Sequence, residues 1–531
     1  MKFIKLFSVV LISVLLFMTA CSNKTNEDVT EPSDEELENL NESGLPIVKD
    51  EITLDMFAGQ PPQSADDWND VMIWNEYEDM TNINVNWETV QSESLDEKRN
   101  LKLGSGDLPD VFYSASLSNT ELLKYGEQGL FIPLNDLIDE YAPNLKKLME
   151  ENPEIEKAMT FPDGNIYSLP TIFDADFSSL RLGPRPWINK EALESVDMDM
   201  PETTEEYYEF LKAVKEETDM IPFGSYSAGM LLRWLNGSFG LVNRGFDHPY
   251  TDIGSDGELR FIPTSDEYKE MLEYVHKLYD EELIEQNIFA DGSTEKFMAN
   301  ASDDQYASTV SHDPSELFNI DTMEGATALE GPYGDRLITG ITPTVTGLGG
   351  FVITENNEYP ASTMRWIDHF YSDEGAKLLF MGVEGETYEE DSDGEVEYVD
   401  KITNSSEGLT FEQELAKYLV WPGGAYAGTI IKEDYFKSLE SSPASLESAE
   451  NLEPYIIEEV WPAFTYTKEE NKILSTTGSD IEKYVSEMQD KFIVGDVPFS
   501  EWDDYIDKLE RMGLDEYMKV KKDALERFEN N

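Results

Sequence analysis

A single cysteine among 531 residues excludes an internal disulfide. The four histidines (His248, His276, His312 and His369) are scattered without metal-ligand spacing. There is no Gly-x-Ser-x-Gly elbow and no glycine-rich phosphate loop, so neither a triad hydrolase nor a nucleotide enzyme is indicated. Positive charge is also scarce, with 39 Lys and Arg against 110 Asp and Glu and a net charge of −71. Such a surface repels nucleic acid and anionic headgroups. It also disfavours an acidic polysaccharide as ligand, unless a local basic pocket overrides the global field. The only long apolar run, Phe7 to Met18, falls short of the roughly 20 residues that span a bilayer.

What the chain does have begins with that run. Lys2 and Lys5 precede it and Thr19-Ala20-Cys21 follow, which is the order of a signal peptide over 1–20. Met18-Thr19-Ala20-Cys21 resembles a bacterial lipoprotein box, with Met18 where Leu is usual. In such proteins the cysteine thiol carries a diacylglyceryl group, and burial of its chains contributes about 0.8 kcal/mol per CH₂. An ordinary secretory signal with an incidental cysteine is the alternative. Cys21 is therefore the expected lipidation site, anchoring an extracytoplasmic protein to the outer face of the cell membrane. Loss of the two lysines of residues 1–20 takes the charge from −71 to −73. Residues 21–50, rich in Asn, Glu, Asp, Ser and Pro, read as a disordered acidic tether.

From Glu51 the pattern is globular. An alternating strand, Glu51 to Phe57, ends in Ala58-Gly59. A helical stretch follows at Trp68–Met80, a strand at Ile83–Trp87, a helix at Leu95–Leu103 and a strand at Leu108–Tyr113. Strand–helix alternation predicts parallel βαβ units, whose ligands sit at the carboxyl ends of strands. Later elements include a helix at Thr203–Thr218 opened by a capping sequence, a strand at Ile221–Tyr226, a long amphipathic helix at Asp266–Glu285 and a strand at Gly347–Ile353. Helices dominate the last third.

The order of Asp66-Asp-Trp-Asn-Asp, Thr81-Asn-Ile-Asn-Val-Asn-Trp-Glu88 and Gly104-Ser-Gly-Asp-Leu-Pro-Asp110 resembles the extracellular solute-binding proteins of carbohydrate ABC importers. So do Phe161–Pro170, Trp187–Leu193, Phe380–Tyr388 and Trp502–Tyr517, the last two matching the long lipoprotein branch. The resemblance covers about 51–531. It implies an α/β, two-lobed periplasmic-binding-protein-like fold of type II, with discontinuous lobes joined by a hinge. The expected N-terminal lobe comprises 51–172 and 340–400, and the C-terminal lobe 173–339 and 401–531. Membership implies capture of an oligosaccharide in the interlobe cleft and its delivery to permease subunits of an importer. It implies a monomer, with no nucleic-acid partner and no cofactor.

Sugars are recognised by aromatic faces and by polar side chains. Aromatics beside Gly, Pro or Asn in loops are better candidates than those in helical stripes. That rule selects Trp68, Tyr113, Trp234, Trp421 and Tyr426, with Gln60 and Asp176 as polar partners; Trp74, Trp366 and Trp502 fall at core spacing. Glu389–Asp400 has calcium-loop spacing, with Glu and Asp exchanged at its ends, but Asp393-Gly394 also suits a two-residue hairpin turn. Some relatives carry a calcium loop before a strand beginning Ile-Pro; Lys215–Pro222 lacks that insertion, so no metal is expected. Two carboxylates suffice for a glycosidase, so a secreted carbohydrate-active enzyme (glycosidase or lyase) is one alternative and a ligand-sensing lipoprotein another.

Overall fold

The computed structural model describes residues 32–254, 256–290 and 292–530. The signal peptide, Cys21 and the first part of the tether lie outside the described residues. Two sheets organise the chain. The first has six strands in the order Ile430–Ile431, Leu169–Phe173, Val345–Ile353, Val111–Tyr113, Ile52–Gln60 and Ile83–Gln91. The second has four, Met323–Gly325, Arg185–Asn189, Tyr306–Ser311 and Ile221–Ser225.

Ile52–Gln60 alternates buried and exposed at its start and is wholly buried from Met56 on, as expected of a strand entering the middle of a covered sheet. It pairs in parallel with Ile83–Gln91 on one side and Val111–Tyr113 on the other. Val345–Ile353 runs antiparallel to both its neighbours, and so does Arg185–Asn189 in the second sheet. Each of these reversed strands directly follows a passage of the chain between the two sheets. The carboxyl ends of the parallel strands therefore all face the crossings.

Local rules hold where they are strongest. Thr203 and Glu206 form a capping box at the start of the helix Thr204–Glu217. The helix Asp266–Asp280 buries Tyr268, Met271, Leu272, Val275 and Leu278, and packs against the C-terminal helix Ser479–Val494. In the first lobe Trp74 stacks on Trp87 at 5.0 Å and tilts against Trp366 at 5.6 Å, placing these rings in the core.

Two domain boundaries move. Residues 32–50 are not tether: a helix spans Asp34–Asn39, and Ile47 and Val48 are buried in the first core. The Glu36 carboxylate accepts from the Ser362 N–H at 2.8 Å, and Arg365 donates to the carbonyls of Asn41 and Gly44. The segment's composition is that of disorder, but two adjacent apolar residues and one buried carboxylate dock it. Ile47→Ala is expected to cost about 2–4 kcal/mol in urea unfolding; a free tether would not register the change.

Residues 401–436 belong to the first lobe rather than the second. Ile402, Leu415, Leu419 and Trp421 sit in its core, and Ile430–Ile431 adds an edge strand parallel to Leu169–Phe173. The chain thus crosses three times, near 174–184, 326–344 and 437–445. The segment 388–398 is a hairpin, with strands Tyr388–Glu390 and Val396–Tyr398. Its turn is the loop 391–395 rather than two residues, because the Asp391 carboxylate accepts from the N–H groups of Asp393 and Glu395.

Candidate functional site

Three arginines fasten the crossings. Arg181, on the first, donates to Ala175 O at 3.0 Å and to Thr342 O of the second at 3.1 Å. Arg233, on the helix Ala228–Leu235, reaches Leu182 O at 2.7 Å and also Gly340 O. A Cβ at Gly340 would lie 2.4 Å from the Arg233 Nε, so only glycine admits this approach. Arg185 is 1% exposed; it donates to Ser445 O at 3.2 Å and pairs with Glu440 of the third crossing. Glu440 also meets His312, and Ser442 bonds Asp313, so the third crossing is tied to the ends of the second sheet.

Burial lowers both Arg185 and Arg233 to about 10, which leaves them charged at neutral pH. His312 is pushed down to about 4 by burial and by the guanidiniums of Arg185 and Arg233. It therefore faces Glu440 as a neutral imidazole donor.

The lobes also meet away from the crossings. Thr465 donates to Thr160 O at 2.9 Å, Thr120 to Asn471 at 3.0 Å, and Lys157 reaches the carbonyls of Phe528 and Glu529 at the end of the last helix. A cation at a helix C-terminus is the favourable sign there. Beside this second junction His248 is buried, its Nε2 2.8 Å from Pro462 O and its ring against Trp461 and Phe464. Burial holds it near pKa 4, below the ordinary 6.5. A depressed folded value means full stability above pH 6.5, lost as pH falls through 4 because the unfolded chain binds the proton first. The wild type is expected to lose about 3 kcal/mol more than His248→Gln across that window. Urea titrations at several pH values measure the difference; parallel pH profiles would contradict it.

The residues chosen from sequence fall unevenly. Gln60 stands at the end of its strand but is buried; its amide donates to Ala65 O and Asp66 O and its Oε1 accepts from Gln91, closing the 60–66 loop. Trp68 is 0% exposed, edge-on to Trp87 at 5.1 Å and Tyr113 at 6.0 Å. Tyr113 is buried with its hydroxyl accepting from Ala427 N–H at 3.2 Å. Trp234 lies on a helix, not in a loop, packed on Tyr207 at 4.9 Å with its Nε1 bonded to Thr327 O. Trp421 is buried against Phe436 at 5.0 Å and donates to Phe380 O. In each case indole or phenol packing explains the ring without a ligand.

Two of the seven reach solvent. Tyr426 is half-buried, its ring 5.7 Å from Phe380 and Phe436 and its hydroxyl pushed up to about 12 by burial. Asp176 is exposed on the first crossing, close enough to Arg181 to offset part of its charge. Two neighbours of the crossings were not singled out from sequence: Phe246, 60% exposed, and Asp247 beside it. Gly245-Phe246 satisfies the same glycine-adjacent loop rule that selected Tyr426. Among the described residues, no group of three or more His, Cys, Asp or Glu is placed to hold a metal ion, and no helix is long and apolar enough to cross a membrane.

Comparison with known proteins fits this geometry. The family profile described as bacterial extracellular solute-binding protein matches residues 62–377. The fructooligosaccharide ABC transporter substrate-binding protein FusA of Streptococcus pneumoniae is 28% identical, with 100% of each chain covered. Its structure in complex with kestose superposes with a TM-score of 0.72 at 26% identity, over 90% of this chain and 100% of that one. Lipoprotein LipO of Bacillus subtilis is 25% identical over 82% of this chain and 85% of its own. The polygalacturonan/rhamnogalacturonan-binding protein YtcQ of Bacillus subtilis is 22% identical over 88% and 90%.

Proposed function

The chain belongs to the bacterial extracellular solute-binding protein family, and from that premise we propose that it captures an oligosaccharide between its two lobes and passes it to an ABC importer. The observation that carries the reading is the end-to-end similarity to FusA, whose complex with kestose has the same fold. The crossings supply the mechanism. Three strands of chain make the hinge: Arg181 ties the first crossing to the second, while Arg233 and Arg185 tie the crossings to the second lobe, so the hinge bends without unfolding either lobe. Closure brings aromatic and polar groups of both lobes onto the sugar and gives the importer a distinct closed shape. No covalent step is required. Anchoring through Cys21 keeps the receptor at the outer face of the membrane, beside the permease subunits it serves, and it acts as a monomer. Tyr426 and Asp176 are the sequence-selected residues retained as ligand contacts.

The test is a thermal-shift and calorimetric panel on the soluble chain from Ser22, with kestose, nystose, trigalacturonate and short peptides, followed by chromatography of the recovered glycan. At 100 times its Kd a ligand adds about 2.7 kcal/mol of stability. An oligosaccharide that shifts the melt and is recovered intact supports the reading. Cleaved glycan makes the protein an enzyme, and a response to peptides alone removes the carbohydrate assignment.

A further inference from the structure

We infer that Phe246 and Asp247 form the sugar-selecting wall of the second lobe, an aromatic platform beside a hydroxyl-accepting carboxylate that favours a neutral over a uronic-acid oligosaccharide. The inference rests on the oligosaccharide reading above. A single exposed phenylalanine on a convex surface calls for no explanation. This one is presented by a loop pinned on three sides. The Phe246 N–H donates to Ile341 O of the second crossing at 3.0 Å, and Arg244 O accepts from the Trp461 N–H at 2.6 Å. Asn243 bonds Gly245 O at 3.1 Å and accepts from Thr339 at 2.6 Å. Gly245 has φ +121°, and a Cβ there would lie 2.9 Å from Val460, so the turn that aims the ring needs glycine.

The ring is also backed electrostatically. The Arg233 guanidinium lies 5.7 Å from its centroid while bonding the first and second crossings, so the platform stands where the two meet. A rigid aromatic with an exposed face buries a sugar's apolar C–H face at little entropic cost. Asp247 is accessible to solvent, yet burial by its surroundings is the one influence that raises its pKa; no cation or donor is drawn to it. Its lone pairs are open to sugar hydroxyls.

Charge decides the class of sugar. A uronate seated on the Phe246 ring would meet the Asp247 carboxylate beside it. The guanidiniums near the crossings are already engaged: Arg181 by two carbonyls, Arg233 by two more, Arg185 by Glu440, and the Arg244 Nη1 by Glu459 at 3.3 Å. The net charge of −71 adds to the exclusion.

Calorimetry of the wild type, Phe246→Ala, Phe246→Trp and Asp247→Asn with nystose and with trigalacturonate tests this. The wild type is expected to prefer nystose. Phe246→Ala should weaken nystose binding about tenfold, with the melting point unchanged because the ring is already exposed, and Phe246→Trp should restore it. Asp247→Asn should weaken nystose and shift the nystose-to-trigalacturonate ratio about tenfold towards the acid. Wild-type affinity in both Phe246→Ala and Asp247→Asn would overturn the inference and leave the oligosaccharide reading standing. So would a wild type that prefers trigalacturonate. A wild type that binds neither nystose nor trigalacturonate also overturns the inference, while the wider glycan and peptide panel above decides the oligosaccharide reading.

Discussion

Replacing Arg185 by methionine is expected to cost about 3–5 kcal/mol of unfolding free energy, because it strands a buried charge. The Arg185 side chain is 1% exposed and that of Glu440 is 5%. Without the guanidinium, the Glu440 carboxylate keeps only the neutral His312 and loses the one full charge that compensates its burial. The Ser445 carbonyl loses a donor in the same step. The double change Arg185→Met with Glu440→Leu removes both charges, and a buried pair replaced by apolar groups of similar volume is often neutral or stabilising. It should therefore recover most of the loss. A urea-denaturation double-mutant cycle measures the coupling directly. If the single change is harmless, the third crossing is not held by this pair and the hinge must be fastened elsewhere.

Trp68→Ala is expected to destabilise by about 3–5 kcal/mol, the cost of emptying a large aromatic site in a packed core. The indole is edge-on to two rings, and its Nε1 donates to Ser64 Oγ at 3.1 Å. Ser64 in turn donates to Val420 O at 2.6 Å, so the ring anchors both the 60–68 loop and the 420 segment. Glycan affinity per folded molecule should change far less than stability. Phe246→Ala should do the opposite. An unchanged urea midpoint with lost affinity in Trp68→Ala would show that the indole meets the ligand, as the loop rule first suggested.

That contrast marks what a sequence can carry. The parallel strands at 52–60, 83–91 and 111–113 were legible because alternation and turn residues act within a few positions. The Thr203 capping box was legible for the same reason. The position of the third crossing, at 437–445 rather than at 400, was not, because the strand that ties 401–436 to the first lobe is the two-residue Ile430–Ile431, too short to show a period. The docking of 32–50 was hidden by an acidic composition that outweighs Ile47 and Val48. Site residues are the hardest to read locally for a physical reason: a ring next to glycine or proline can equally fill a core around an irregular segment, as Trp421 does, or face solvent, as Phe246 does. Trp234 follows helical spacing with Leu231 and Leu235, and that packed helix, rather than the glycine at 237 that follows it, decides where the ring goes. Which loops converge is set by the crossings, and no local pattern encodes them.

Hinged capture is tested most directly by small-angle X-ray scattering of the soluble chain from Ser22, without and with saturating nystose, kestose or trigalacturonate. Closure of two lobes about three fastened crossings predicts a smaller radius of gyration with the bound glycan and no change with the glycans that do not bind. A glycan that binds by calorimetry while the scattering curve stays the same would contradict capture by closure.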